Sequence, residues 1–140
     1  MISVDASYLH ELDFDYKLDA LIEVLEQIVA DFNFNLGDVA IVFGSDDWLL
    51  SFNQSFLSHD YFTDIITFDY STADLISGDL LISVDRVIDN ASLLNVPRET
   101  ELCRVCIHGM LHLVGFNDST EKEKMKMRQK EDEYLSLLPN

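Results

Sequence analysis

Residues 107–118 read Ile-His-Gly-Met-Leu-His-Leu-Val-Gly-Phe-Asn-Asp, and this stretch predicts both a helix and a metal site. His108 and His112 are four residues apart, so a helix projects both imidazoles from one face. Gly115 is suited to end that helix, since glycine adopts the left-handed conformation without a steric penalty. Asp118 can then return toward the imidazoles as a third ligand. Three protein ligands with an open position are typical of catalytic zinc sites, so we expect one divalent ion, with zinc as first choice.

Two neighbours of these ligands leave alternatives open. Asn117 is a second candidate for the third ligand, although an amide is a poorer zinc ligand than a carboxylate. Gly109 stands where zincin peptidases carry the glutamate that serves as general base. Its absence disfavours peptide hydrolysis and leaves a metal-activated water as the nucleophile. Gly109 also has a structural interpretation, in which it allows the helix to pack closely against a sheet.

The composition indicates a folded, strongly acidic domain. The chain has 140 residues, of which 48% are hydrophobic, and a formal net charge of -17. This length is typical of a single domain, expected here to span residues 1–140. So acidic a chain should not bind nucleic acid through a general basic surface. Without a secretory pattern or an apolar run near the ~20 residues of a membrane span, we expect a cytoplasmic protein with no membrane partner.

The hydrophobic pattern predicts a small sheet covered by helices. The predicted helices cover residues 16–32, 45–57, 85–94 and 98–114, with a last helix from 119 or 120, and the predicted strands cover 39–43, 64–70 and 80–84. Ser77 and Gly78 are predicted to form a turn, and Asp85 is predicted to cap the helix that follows. Thr120 and Glu123 permit a capping box at the start of the last helix.

Three stretches of the chain resemble the signatures of a known family. Residues 108–118, HGMLHLVGFND, resemble H-G-x-L-H-L-x-G-[FY]-D-H of the YbeY endoribonucleases, the rRNA maturation factors. Residues 53–68 resemble that family's L-N-x-x-[FY]-R-x-x-D-x-x-T-D-V-L-S-F, and residues 78–83 resemble its G-D-I-x-I-S. The matches occur in order and at family spacing over about residues 45–135.

The resemblance implies a single-strand-specific, metal-dependent endoribonuclease that acts in rRNA maturation and ribosome quality control. It implies an α+β fold with a small mixed sheet packed against helices and a zincin-like metal-binding helix. The zinc ligands would be His108, His112 and Asp118, the last in place of the family's histidine. An aspartate makes the site harder, so other divalent metals become acceptable. The expected partners are rRNA and the small ribosomal subunit, reached through ribosomal proteins.

A second departure from the family concerns a basic residue. Leu57 stands where the family usually has an arginine thought to contact RNA. Arg104 lies four residues before His108 on the same helix face, which makes it a candidate to bind a phosphate and partly replace that arginine. The alternative is a salt-bridged arginine paired with Glu101.

The other chemically interesting residues have weaker patterns. Cys103 and Cys106 are predicted to be buried core cysteines rather than a redox or zinc pair. The basic residues from Lys122 to Arg128 are predicted to form a solvated, ion-paired helix face rather than an RNA patch. His10 and His59 are isolated in the sequence. Thr63 and Asp64 begin a strand that would border the site.

Two other functions remain open. A zincin-type metallopeptidase would share the metal helix but lacks the glutamate base. A non-catalytic ribosome-associated assembly factor would hold the metal as a structural ion, and its acidic surface would suit basic ribosomal proteins. In the nuclease, the ion would polarise a phosphoryl oxygen and activate a water, while Arg104 or a partner steadies the phosphate.

Overall fold

The computed structural model describes residues 1–11, 18–57 and 62–139, and these ranges contain four strands and six helices. The strands are β1 (Ile2–Asp5), β2 (Asn35–Gly44), β3 (Ile65–Asp69) and β4 (Leu75–Ser83). The helices are α1 (Ser7–Glu11), α2 (Leu18–Asp31), α3 (Asp46–Leu57), α4 (Val84–Leu94), α5 (Arg98–Leu113) and α6 (Glu121–Leu135). None of the helices in these ranges is both long and apolar enough to cross a membrane.

The strands form one mixed sheet in the order β1-β2-β4-β3. β1, β2 and β4 run parallel, whereas β3 pairs antiparallel with β4. Within the described ranges β3 is therefore an edge strand, and edge strands present backbone groups that can pair with another molecule. The predicted α+β fold with a small mixed sheet is confirmed.

Side chains alternate across the sheet and pack against helices on both faces. In β4, Leu80 and Ile82 belong to the main core, to which α2, α4, α5 and α6 contribute. Leu81 belongs instead to a smaller cluster with Leu49 of α3 and Ile66 of β3. Since successive strand residues point to opposite faces, α3 covers one face of the sheet and the main core covers the other.

Helix α5 runs through the main core, and this fixes the position of the metal motif. Its apolar residues around the histidines are fully buried: Leu102, Val105, Cys106, Ile107, Met110 and Leu111. Gly109 allows the helix to approach the sheet, because a Cβ there would lie 2.7 Å from Ile65 Cδ1 and 3.0 Å from Leu80 Cδ2. The structural interpretation of Gly109 is thus supported.

The turn predicted at Ser77 and Gly78 is wrong. Both residues lie within β4, and Gly78 pairs with Asp69 of β3. A Cβ at Gly78 would lie 2.4 Å from the backbone oxygen of Phe68. The glycine is therefore explained by a close approach of two strands, which local sequence does not distinguish from a turn.

The helix caps agree with the sequence in one case and differ in another. Thr120 and Glu123 form the predicted capping box at the start of α6. Asp85, the predicted cap of α4, lies inside the helix, and the N-cap is Ser83, whose hydroxyl accepts a hydrogen bond from the Arg86 amide. Ser83 is also the last residue of β4, so strand and helix follow each other without a loop.

β1 and α1 have no predicted counterpart. β1 is four residues long and pairs in parallel with β2, from Ile2 opposite Val39 to Asp5 opposite Val42. So short a strand depends on its partner rather than on its own propensity. The predicted helix over 16–32 begins at Leu18 in the described ranges, and residues 16 and 17 lie outside them.

Candidate metal centre

Helix α5 presents two histidines to the loop that follows it. The Nε2 atoms of His108 and His112 lie 3.0 Å apart. The chain turns at Gly115, whose φ of 110° lies in the region that favours glycine. Beyond this turn, Asp118 Oδ2 lies 3.3 Å from His108 Nε2 and 3.4 Å from His112 Nε2. The structure thus brings together the three residues predicted as ligands.

Hydrogen bonds on the far side of each ring determine what the two Nε2 atoms offer. His108 Nδ1 lies 2.7 Å from Glu131 Oε2, and His112 Nδ1 lies 2.8 Å from the backbone oxygen of Phe116. Both partners are acceptors, so in the neutral rings each Nδ1 carries the proton and each Nε2 presents a lone pair. Two lone pairs and the Asp118 carboxylate then face one another, and a cation between them removes their repulsion.

The spacing of the three donor atoms fits a zinc ion. Zinc bonds of ~2.0–2.1 Å in a tetrahedron place the ligand atoms about 3.3 Å apart. The observed separations are 3.0, 3.3 and 3.4 Å. Two nitrogens and one oxygen leave a coordination position for water or substrate, and this ligand set also suits other first-row divalent metals.

The three ligands line a cavity of about 500 Å³. Its other described lining residues come from the α3 end, the segment before β3 and β3 itself: Asn53, Leu57, Thr63, Asp64, Ile65, Ile66, Thr67 and Asp69. The edge strand therefore borders the metal centre. Thr63 and Asp64 were predicted to border the site, and both line this cavity.

Asp64 is a carboxyl of the cavity outside the three-ligand cluster. Burial raises the pKa of Asp64 above its ordinary value, while electrostatic interactions with His108 and Arg104 act in the opposite direction. A carboxyl with a raised pKa in a cleft is a candidate for proton transfer at neutral pH.

Arg104 is engaged by two buried carboxylates. Its Nε donates to Glu101 Oε1 over 2.7 Å, its Nη2 donates to Glu101 Oε2, and its Nη1 donates to Glu131 Oε1 over 3.0 Å. The pairing with Glu101 is the alternative that the sequence left open. Arg104 is not among the described residues that line the cavity. Its contact with a phosphate stays a prediction.

Two residues of the site lie outside the sequence-based candidates. The first is Glu131 of α6, which is buried, with 2% exposure, and binds His108. Its place among the core-facing positions Met127, Glu131 and Tyr134 is the signal that could have identified it. Asn53 is also buried and lines the cavity, and a buried amide on an apolar helix face is the corresponding signal.

The remaining candidates do not join the centre. Cys103 and Cys106 are buried free thiols, as predicted, and burial raises the pKa of Cys106 well above its ordinary value. His10 is exposed on α1, and His59 lies outside the described residues.

The basic residues of α6 are largely exposed and include ion pairs along the helix, as predicted. Lys124 lies 3.6 Å from Glu121, and Lys130 lies 2.9 Å from Glu133. Leu57, in contrast, supplies no charge to the cavity that it lines, and its side chain is 41% exposed. The described residues that line the cavity include no arginine or lysine.

Comparisons with known proteins find relatives over nearly the whole chain. The family model described as Endoribonuclease YbeY matches residues 5–139. A protein of that name from Flavobacterium psychrophilum is 42% identical over 132 residues, covering 94% of each chain. One from Cytophaga hutchinsonii is 46% identical over 129 residues, covering 89% of this chain and 90% of the relative.

A solved structure has a similar fold. The solution structure of a Thermotoga maritima protein superposes with a TM-score of 0.69 at 30% sequence identity, covering 98% of this chain and 88% of the other. The sequence matches and the shared fold extend over nearly the whole chain, and the family-model match includes both histidines and the loop to Asp118. This chain therefore belongs to the YbeY family.

Proposed function

We propose that this protein is a metal-dependent endoribonuclease for single-stranded RNA that acts in rRNA maturation and ribosome quality control. The observation that carries the metal dependence is the meeting of His108 Nε2, His112 Nε2 and Asp118 Oδ2 within 3.4 Å of one another at a cavity. The nuclease activity is supported by the name of the relatives, Endoribonuclease YbeY. The substrate strand and the biological role rest on the family resemblance.

The residues of the centre have separable tasks. A divalent ion held by His108, His112 and Asp118 would supply Lewis acidity to a phosphodiester and lower the pKa of water. Phe116 and Glu131 hold the two imidazoles in the tautomer that leaves each Nε2 free. Those contacts preorganise the donors before any substrate arrives.

The cavity supplies groups for proton transfer and substrate contact. Asp64, whose pKa is raised by burial, is the candidate to hold or accept a proton near the reacting phosphate. Among the described strands β3 lies at the edge of the sheet, so its unpaired backbone amides are available as hydrogen-bond donors to an extended single strand of RNA. The predicted phosphate contact by Arg104 competes with its two carboxylate partners, Glu101 and Glu131.

The strongly acidic composition bears on partners and location. With a net charge of -17, the chain gains little from general attraction to RNA, so a docking partner is needed to bring it to its substrate. We propose the small ribosomal subunit, contacted through basic ribosomal proteins, in the cytoplasm. Co-sedimentation of the protein with isolated small subunits, weakening as salt is raised, is the expected result.

Cleavage of a labelled single-stranded RNA tests the activity directly. The zinc-loaded protein should cut the single strand faster than the same sequence in a duplex, and His112→Ala should abolish the cut. His10→Ala is the matched control, since His10 is exposed on α1. Equal cleavage by His112→Ala would indicate a contaminating nuclease and refute the proposal.

The peptidase alternative is disfavoured by the packing at residue 109. A zincin glutamate there would have to enter a space where even a Cβ lies 2.7 Å from Ile65 Cδ1. Chelator-sensitive cleavage of an unfolded protein substrate would favour the peptidase. Unchanged subunit binding by His112→Ala, without RNA cleavage by the unmodified protein, would favour the assembly factor.

A further inference from the structure

A network of hydrogen-bonded polar side chains extends from His108 into the interior between α5 and α6. Glu131 Oε2 binds His108 Nδ1 over 2.7 Å, and the other oxygen, Oε1, accepts from Arg104 Nη1 over 3.0 Å. Arg104 in turn donates through Nε and Nη2 to the two oxygens of Glu101. The two oxygens of Glu131 thus have different partners: Oε2 binds His108, whereas Oε1 accepts from Arg104 and also lies 3.8 Å from Arg128 Nη1.

The side chains of Glu131, Arg104 and Glu101 lie largely away from solvent. The exposed fraction is 2% for Glu131 and 1% for Glu101, and it is 14% for the Arg104 side chain. Both oxygens of Glu131 are therefore turned toward protein partners rather than toward water.

Glu101 and Glu131 place two carboxylates around the guanidinium of Arg104. A second cation, Arg128, lies 3.8 Å from Glu131 Oε1, but its side chain is 53% exposed and its charge is screened by solvent. Buried charge of one sign is costly unless a partner balances it. The Glu131 carboxylate adjoins His108, whose opposite nitrogen faces Asp118 and His112, where a cation would bind.

The two histidines differ in how their rings are held. His112 Nδ1 uses the backbone oxygen of Phe116, four residues along the same segment, so its orientation is set locally. His108 depends on a carboxylate from α6, which is 23 residues away in sequence. The packing of α6 against α5 therefore controls only one of the two imidazoles.

From this geometry we propose that Glu131 and Arg104 are positioning residues of the metal centre. Glu131 fixes the tautomer and rotation of His108 and strengthens it as a ligand, as outer carboxylates do for metal-bound histidines. Arg104 acts one step further away, since it holds Glu131 while Glu101 holds the guanidinium. This role replaces a direct phosphate contact for Arg104, and it rests on the metal site of the proposed function.

Zinc affinity of the purified chain, measured by competition with a chromogenic chelator, tests the role of Glu131. Glu131→Gln keeps the size of the side chain, but its amide cannot accept from both His108 and Arg104. We expect the zinc dissociation constant to rise about 10- to 100-fold. Glu133→Gln is the matched control on the same helix, since Glu133 is exposed and pairs with Lys130. Equal zinc affinity of Glu131→Gln and the unmodified protein would overturn the proposal.

Arg104→Lys tests the outer link. A lysine keeps the charge but not the fork that spans two carboxylates, so zinc affinity should fall, though less than in Glu131→Gln. Unchanged affinity in Arg104→Lys, with weakened single-stranded RNA binding, would assign Arg104 to the phosphate contact instead.

The ring tautomer gives a readout that does not depend on cleavage and detects misfolding. In zinc-bound protein with ¹⁵N-labelled histidine, His108 should show a protonated Nδ1 and a metal-bound Nε2, and Glu131→Gln should alter the His108 signals while leaving those of His112 unchanged. Equal changes at both histidines would mean general disruption and contradict the positioning role. Suppose that the unmodified protein fails to cleave RNA while Glu131→Gln still shows weaker zinc binding and altered His108 signals. That result would refute the nuclease but not the positioning role.

Discussion

His108 Nε2 lies 3.0 Å from His112 Nε2, and both rings turn their protonated Nδ1 toward an acceptor on the far side. Two imidazole lone pairs at this distance repel one another, and the Asp118 carboxylate adds a third acceptor. The α5 residues around the two histidines are buried in the main core, and this packing fixes the separation of the two rings. The fold therefore places the three donor atoms at a spacing that suits a metal ion.

Replacing the third ligand should change the metal content in a residue-specific way. Asp118→Ala removes one of the three donors, and we expect the protein to lose stoichiometric zinc after dialysis. Asp118→His restores the residue usual in the family and should retain zinc while binding manganese less well, since imidazole is a softer ligand than carboxylate. Metal analysis of the purified variants measures both effects.

Asn117→Ala provides the control for this experiment. Asn117 is exposed, and its side chain hydrogen-bonds with Glu123, not with the histidines. Undiminished zinc in Asp118→Ala, with loss of zinc in Asn117→Ala, would transfer the third ligand to the amide.

A positive charge at residue 57 should improve RNA cleavage. Leu57 lines the cavity and is 41% exposed, so an arginine there can reach a substrate phosphate without burying its charge. A charge-assisted hydrogen bond contributes roughly 1.5–3 kcal/mol, so Leu57→Arg should lower KM for single-stranded RNA about tenfold or more. Steady-state cleavage at two salt concentrations measures the effect, which should weaken as salt rises. Leu57→Gln is the uncharged control, and an equal gain in that variant would exclude the charge as the cause.

A methyl group at Gly78 should destabilise the sheet. The added Cβ would lie 2.4 Å from the backbone oxygen of Phe68 and 3.0 Å from Leu113 Cδ2, so β3 or α5 must move. Such overpacking costs about 1–3 kcal/mol, and Gly78→Ala should lower the thermal midpoint by several degrees. Thermal unfolding followed by circular dichroism tests this expectation. An unchanged midpoint would show that β3 shifts freely, contrary to its paired register with β4.

Neutralising Asp64 should stabilise the metal-free protein at neutral pH. Burial raises the folded-state pKa of Asp64 above 3.8, so the charged form is disfavoured in the folded state. The destabilisation is absent below the unfolded pKa, where both states are protonated, and is complete above the raised folded pKa. Asp64→Asn should therefore have a higher free energy of unfolding at pH 7, with a gain that shrinks as pH falls toward 3.8.

Urea unfolding of the metal-free proteins across that pH range measures the gain. A gain that is constant with pH would point to packing rather than charge. In zinc-loaded protein, Asp64→Asn should slow RNA cleavage if Asp64 transfers a proton. The cleavage rate therefore reports the function of Asp64, and the unfolding free energy reports its effect on stability.

Local sequence was sufficient for elements with a strong internal pattern. The α5 helix, its end near Gly115 and the capping box of Thr120 and Glu123 each depend on contacts within a few residues, and all were predicted. The strand position of Gly78 was not predicted, because a glycine within a strand resembles one in a turn. β1 was not predicted either, because a four-residue strand is stabilised mainly by its neighbour.

By itself, the sequence determined that two histidines lie one helical turn apart and that a glycine turn brings Asp118 back to them. These are short-range consequences of helix geometry and backbone conformation. Only the tertiary structure decided that Glu131 of α6 orients His108, that Arg104 is held by two carboxylates, and that the edge strand β3 borders the metal centre. Those contacts join residues distant along the chain, and their geometry depends on how α5 packs between the sheet and α6, which no local pattern encodes.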